Sequence, residues 1–136
     1  MQTPTKPLPI PDEDTREFWE GCKRGELLIQ RCNRCERYRF QPRAICPDCM
    51  SLENEWKKVS GKGKIYSFVV YHQPHHPAWK DEIPYVVALV ELDEGIRMIS
   101  NIIEFPHDQV KIGMAVEVKF EKAADEITLP KFKPVI

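Results

Sequence analysis

Four of the five cysteines stand in two C-x-x-C pairs, Cys32 with Cys35 and Cys46 with Cys49, with ten residues between the pairs. Thiolate is the metal-binding form of cysteine, and two such pairs turned toward one point place four sulfurs around a tetrahedral ion, each at about 2.3 Å. A zinc ion held this way keeps no open position for water or substrate, so the chemistry expected is structural rather than catalytic. Iron, as a rubredoxin-type centre or a cluster, uses the same ligands and is left open by the spacing. A redox role for a single C-x-x-C requires a βαβ setting and predicts no second pair at this distance.

The same stretch, RCNRCERYRFQPRAICPDC, places Arg31, Arg34, Arg37, Arg39 and Arg43 within thirteen residues that hold one acid, Glu36, and interleaves Tyr38 and Phe40. Guanidinium forks match phosphate oxygens, so this patch is a candidate for RNA, DNA or a phosphorylated cofactor. The plain alternative is a solvated face, or pairing with the acidic segment PDEDTREFWE. Cys22 lies outside the ribbon spacing, and on an apolar helical face it is expected to be packed rather than nucleophilic. The sequence offers no Ser/His/Asp order or acid pair that argues for hydrolysis.

The elements that position these residues follow from periodicity. TKPLPIPDED, with prolines at 7, 9 and 11 and Pro4 just ahead of it, is an extended arm. DEDTREFWEGCKRGELLIQ reads as one or two helices, with Asp12 or Asp14 as cap, Gly21 and Gly25 punctuating the end, and Phe18, Trp19 and Cys22 on one face. Beyond the cysteines the period changes to β-branched and aromatic runs: GKGKIYSFVVYHQ, YVVALVELDEG, IRMISNIIE, MAVEVKFEK and ITLPKFKPVI. LDEG is a hairpin turn with Gly95 at the position that accepts positive φ, and in KIGMAVEVKFE the residues Val116, Val118 and Phe120 oppose Glu117, Lys119 and Glu121. Five short strands in a meander after a ribbon suggest a small closed barrel of the oligonucleotide/oligosaccharide-binding (OB) type. The expected fold is mostly β: an arm and helical segment over 1–29, a rubredoxin-like zinc ribbon over 30–55 and a five-stranded OB-fold barrel over 56–136.

With 136 residues the chain can build one substantial core, and a net charge of −1 with 42% apolar and 30% charged residues gives no global field toward nucleic acid or membrane. Glu91, Asp93, Glu117 and Glu121 on the strands repel a phosphate backbone, which disfavours an OB-type nucleic-acid binder. MQTPTKPLPIPDED lacks the apolar core of a secretory signal, and no run approaches the roughly 18 apolar residues of a membrane span, so a cytoplasmic protein without a membrane partner is expected. In that reducing compartment clustered cysteines serve metals rather than disulfides.

The ordered blocks FWEGCKRGELLIQRCNRCERYRFQPRAICPDC, GKGKIYSFVVYHQP, IPYVVALVELDEGIRMISNI, KIGMAVEVKFE and LPKFKP resemble the family of small acyl-CoA-associated proteins that pair a rubredoxin-like zinc ribbon with an OB-fold, from about Phe18 to Pro134. The resemblance implies a non-catalytic accessory subunit, bound in a hetero-oligomer to a thiolase-like catalytic subunit, to a hydroxymethylglutaryl-CoA synthase or to an acyl-CoA hydratase. Thiolases of aromatic degradation, of the benzoylsuccinyl-CoA type, are one candidate within that class, and a hydratase partner is the alternative. It further implies zinc on all four cysteines and acyl-CoA as ligand. Arg34, Arg37, Arg39 and Arg43 become candidates for the CoA phosphates or for acids on the partner. Tyr66, His72, Trp79 and Tyr85, with Phe68 and Tyr71 nearby, become candidates for a groove that takes the weakly polar pantetheine arm, although for Phe68 a place in the core is expected. Phe18, Trp19, Tyr38 and Phe40 are candidates for the partner interface. His72, His75 and His76 offer a weaker second metal site, because the prolines among them leave the ligands unfixed. The sequence departs from the family pattern at Glu36, where a small residue, commonly glycine, is expected after the first cysteine pair.

Overall fold

The computed structural model describes residues 6–74 and 76–135. The described residues form one α-helix, α1 (Arg16–Arg24), and eight strands: β1 (Leu28–Cys32), β2 (Tyr38–Arg39), β3 (Asn54–Lys58), β4 (Lys62–Tyr71), β5 (Tyr85–Leu92), β6 (Arg97–Ile102), β7 (Ala115–Lys122) and β8 (Thr128–Pro134). None of the described helices is long and apolar enough to cross a membrane.

The start of α1 differs from expectation. Asp12 Oδ1 accepts from the Thr15 N–H at 3.0 Å, and its carbonyl accepts from Arg16, so Asp12 closes a turn ahead of the helix while Thr15 takes the N-cap position without a side-chain cap bond. Neither Asp12 nor Asp14 caps the helix itself. The helix ends at Gly25, whose φ of 81° lets Glu26 N–H reach back to the Gly21 carbonyl at 2.8 Å, a Schellman-type closure. Gly21 does not end the helix. It lies inside it, buried, where a Cβ would stand 2.8 Å from the Leu28 side chain, so its small size lets β1 pass close beneath. Leu28–Gln30, expected as the tail of the helical segment, is therefore the beginning of a strand.

β1 sits between β2 and β3 in a three-stranded antiparallel sheet. Leu28 faces Lys58 and Cys32 faces Asn54, so this sheet extends past both 29/30 and 55/56 and joins the ribbon to the elements on either side.

The barrel closes in the order β4-β5-β6-β8-β7, with β7 returning to β4. This is the expected OB architecture, but not as a plain meander: β8 inserts between β6 and β7 and runs parallel to β6, with Ile102 opposite Phe132. The β5–β6 turn forms as expected, Gly95 adopting φ 92° with its N–H on the Leu92 carbonyl at 2.8 Å. A bulge in β4 between Ile65 and Ser67 turns Tyr66 outward, 47% exposed. Ile65, Val86, Ala88, Val90, Leu92, Met98, Ile102, Val116 and Phe132 fill the barrel, and the same core continues through Val59 to Ile29, Leu27, Cys22 and Phe18 under α1.

Candidate functional site

The two cysteine pairs are built alike. Cys32 and Cys46 are buried, and each begins a tight turn in which its carbonyl accepts a backbone N–H from four residues on, Glu36 at 3.1 Å and Met50 at 2.9 Å. Cys32 N–H then bonds the Arg37 carbonyl and Cys46 N–H the Ser51 carbonyl, at 3.0 and 2.9 Å. In both turns the residue after the second cysteine takes positive φ, Glu36 at 64° and Met50 at 66°. This explains why a glycine is expected at Glu36: the position requires a left-handed backbone that a side chain disfavours. Met50 obeys the same geometry, and its place immediately after Cys49 was the available signal.

The four sulfurs lie within 4.8 Å of one another, with Cys32 to Cys49 at 3.5 Å and Cys35 to Cys46 at 3.6 Å. Sulfurs at about 2.3 Å from a tetrahedral zinc are separated by about 3.8 Å, so the constellation fits such an ion. Backbone N–H groups of Cys35 and Arg34 point at Cys32 Sγ from 3.5 and 3.4 Å. With the Cys35 N–H as the largest cause, and against desolvation, they lower the Cys32 thiol to about 6, favouring the thiolate that binds metal. Among the described residues no other group of His, Cys, Asp or Glu offers a metal site. His76 Nδ1 is engaged by the Ala78 N–H at 3.0 Å, His72 stands edge-on to His107, and His75 lies outside the described residues.

The arginines do not form one patch. Arg39 is 6% exposed and turned inward: its Nε donates to Gln30 Oε1 at 2.8 Å and its Nη2 to the Arg43 carbonyl at 2.6 Å. Gln30, also buried, accepts the Arg43 N–H at 2.8 Å and donates to Asn54 Oδ1 at 3.0 Å, which ties all three strands of the ribbon together. Gln30 was not among the expected site residues. The signal for it is the register, which sets Gln30 directly across from Arg39. Arg34, Arg37 and Arg43 are exposed, and Arg37 pairs with Asp48 at 3.3 Å.

Arg37 and Tyr38 border a hollow with Glu94, Gly95 and Ile96 at the β5–β6 turn. Trp79 and Tyr85 line a cleft of about 430 Å³ beside the opposite end of β5, together with Phe105, His107, Asn101 and Lys131. The structure thus brings Trp79 and Tyr85 together and separates them from Arg37 by the length of β5, about 23 Å for eight residues. Tyr66 belongs to neither place; its ring carries the Arg97 guanidinium at 3.8 Å. His72 is exposed at the end of β4, and Tyr71 stacks on Tyr85 at 5.2 Å.

Of the four interface candidates, Phe18 is buried in the core, edge-on to Trp19 at 5.0 Å and tilted against Phe40 at 5.7 Å. Trp19, Tyr38 and Phe40 remain half-buried at the surface of that core. Cys22 is fully buried, and desolvation pushes its thiol from 9.0 up to about 12, as befits a packed rather than a nucleophilic residue.

Residues 19–55 match the profile of the ChsH2 rubredoxin-like zinc ribbon domain, and residues 56–121 that of the ChsH2 C-terminal OB-fold domain. The chain is 41% identical over 115 residues to a DUF35 domain-containing scaffold protein of Methanothermobacter thermautotrophicus, covering 84% of this chain and 86% of that one. It is 40% identical over 131 residues to a probable enoyl-CoA hydratase alpha subunit of Thermomonospora curvata, of whose length the match spans 40%. A solved structure titled Ltp2-ChsH2(DUF35) aldolase contains a chain that superimposes with a TM-score of 0.86 at 40% identity, over 95% of this chain and 100% of that one.

Proposed function

The chain belongs to the ChsH2-type DUF35 family of zinc-ribbon and OB-fold proteins, and from that premise we propose that it is the non-catalytic accessory subunit of an acyl-CoA enzyme. The observation that carries this reading is the end-to-end likeness to the ChsH2 chain of an aldolase complex. The site chemistry agrees with it: a four-sulfur ion has no free coordination position, so the ribbon holds shape while another chain supplies catalytic groups. We take the partner to be a thiolase-type enzyme acting on C–C bonds next to the thioester. A hydratase partner is the second reading, favoured by the name of the Thermomonospora relative.

In this proposal the ligand is acyl-CoA. The cleft lined by Trp79 and Tyr85 is large enough for a pantetheine segment, and Asn101 and Lys131 offer donors within it. Arg34, Arg37 and Arg43 face outward, where they meet acids on the partner or the CoA phosphates at its rim. Arg39 is excluded from that role because it is spent inside the ribbon.

The test is affinity co-purification of the tagged chain from its native host at moderate salt, followed by mass spectrometry and calorimetry with CoA. An acyl-CoA enzyme recovered in stoichiometric amount is the expected result. A chain that elutes alone, or one that binds single-stranded nucleic acid with a steep salt dependence instead, would overturn the proposal.

A further inference from the structure

β5 is the strand whose sequence does not alternate. YVVALVEL sends Val86, Ala88, Val90 and Leu92 into the core, yet the residues left outside include Tyr85, Val87 and Leu89. In an antiparallel sheet the outer face is normally polar and wet, so an outer face that is apolar as well marks a surface with something to bind. Its neighbours extend the same surface: Ser67 and Ile99 flank Leu89, and Val69 and Asn101 flank Val87. Val69 is 53% exposed and Ile99 64%. β7 shows the contrast, since its outward Glu117, Lys119 and Glu121 are all paired, with Lys133, Glu104 and Lys131. At the border of the apolar face, Glu91 and Arg97 satisfy each other at 3.1 Å. Ile99 also walls a hollow of about 220 Å³ with Trp19, Phe40, Leu129 and Pro130, so the apolar surface continues around β6 into a groove beside α1.

We infer that the outer face of β4–β5–β6, with the groove that Ile99 shares, is the surface on which the catalytic subunit docks. This rests on the accessory-subunit reading. The matching surface on the partner is apolar, presents no charge to Val69, Val87 or Leu89, and projects a side chain or turn into the groove. A second copy of this chain is the poorer occupant. Val69 and Ile99 are open, but Val87 and Leu89 between them are only partly so, and four such side chains fall well short of the roughly 800 Å² per side of a stable interface. Two strongly curved five-stranded barrels placed back to back would also meet along a narrow strip. A larger subunit that wraps around β6 reaches the required area.

The experiment uses the complex recovered by co-purification and replaces two side chains that are already exposed, Val69→Lys together with Ile99→Lys. Subunit affinity is expected to fall at least a hundredfold, while the isolated variant keeps its zinc content and melting temperature. Lys119→Ala, on the paired face of β7, is expected to leave affinity within twofold of the wild type. Unchanged affinity in the double variant overturns the docking face and leaves the accessory-subunit reading standing. A wild-type chain that is dimeric alone and is split by the same substitutions makes a second copy the occupant, which also overturns it. Failure of the wild type to retain any acyl-CoA enzyme removes the underlying reading, and this inference with it.

Discussion

The ribbon and the barrel share one chain and one continuous core, but they are held together by different physics. Inside the ribbon the buried groups are cysteines, Gln30 and Arg39; inside the barrel they are Ile65, Val90, Leu92, Met98 and Phe132. A module of some thirty residues cannot bury enough apolar surface to stand by itself, so an ion and a polar network, complete except at Arg39 Nη1, replace what a larger core would supply. The barrel needs neither. Cohesion by a few directed bonds is all-or-none at each bond, whereas cohesion by packing degrades in proportion to volume lost.

The sharpest way to break that comparison is to remove the metal. Chelation, or Cys46→Ser, is expected to unfold residues 28–58 while the strands of the barrel stay folded, read from amide cross-peaks before and after chelator. Simultaneous loss of the barrel's peaks would show that the two regions are one cooperative unit. Next in size is Phe132→Ala, which empties the barrel centre and should cost about 3–5 kcal/mol in denaturant unfolding with zinc retained. Gln30→Ala should cost about 1–3 kcal/mol, felt as faster zinc release, because Arg39 and the Arg43 N–H both lose their acceptor. Glu36→Gly runs the other way. Relieving a left-handed glutamate should stabilise the ribbon by on the order of 0.5–1 kcal/mol, since the ion pair it forfeits with Arg31, at 3.6 Å, is exposed and weak.

Cys22 adds a pH test with a defined sign. Its folded thiol titrates near 12 and its unfolded one near 9.0, so the fold favours the protonated form. The stability this contributes is present in full below pH 9.0 and is lost as pH rises toward 12. Alkylation of Cys22 at neutral pH should therefore track unfolding and show no fast phase.

Much of this was legible in the sequence, and what was not has identifiable causes. The cysteine spacing carried the metal centre because ligand geometry is local, and the barrel strands were visible because β-branched runs and the LDEG turn are local as well. Gly21 misled because a glycine that ends a helix and a glycine that admits a crossing strand look the same until Leu28 is in place. β3, NEWKK, has little apolar pattern of its own and is a strand because β1 offers it five register partners. Arg39 looked like its exposed neighbours, and only its position opposite Gln30 turns it inward. The cleft was half visible: Trp79 and Tyr85 were expected, but Asn101 and Lys131 reach it through the parallel pairing of β6 with β8, which no local pattern encodes.

That pairing has a consequence of its own. β4 and β5 are joined at eight register positions, while β6 and β8 meet at Ile102 and Phe132, supplemented by the Ile103 N–H on the Phe132 carbonyl at 2.8 Å and the Ser100 hydroxyl on the Pro130 carbonyl at 2.7 Å. β8 carries Pro130 and Pro134, which have no N–H to lend. The barrel is in effect a cylinder slit along one side and pinned where β6 ends. Deuterium should enter along that slit, with the amides of Ile103 and Phe132 exchanging well before those of Val87 and Val90, and the breathing of the whole domain is governed by the few contacts at that pin.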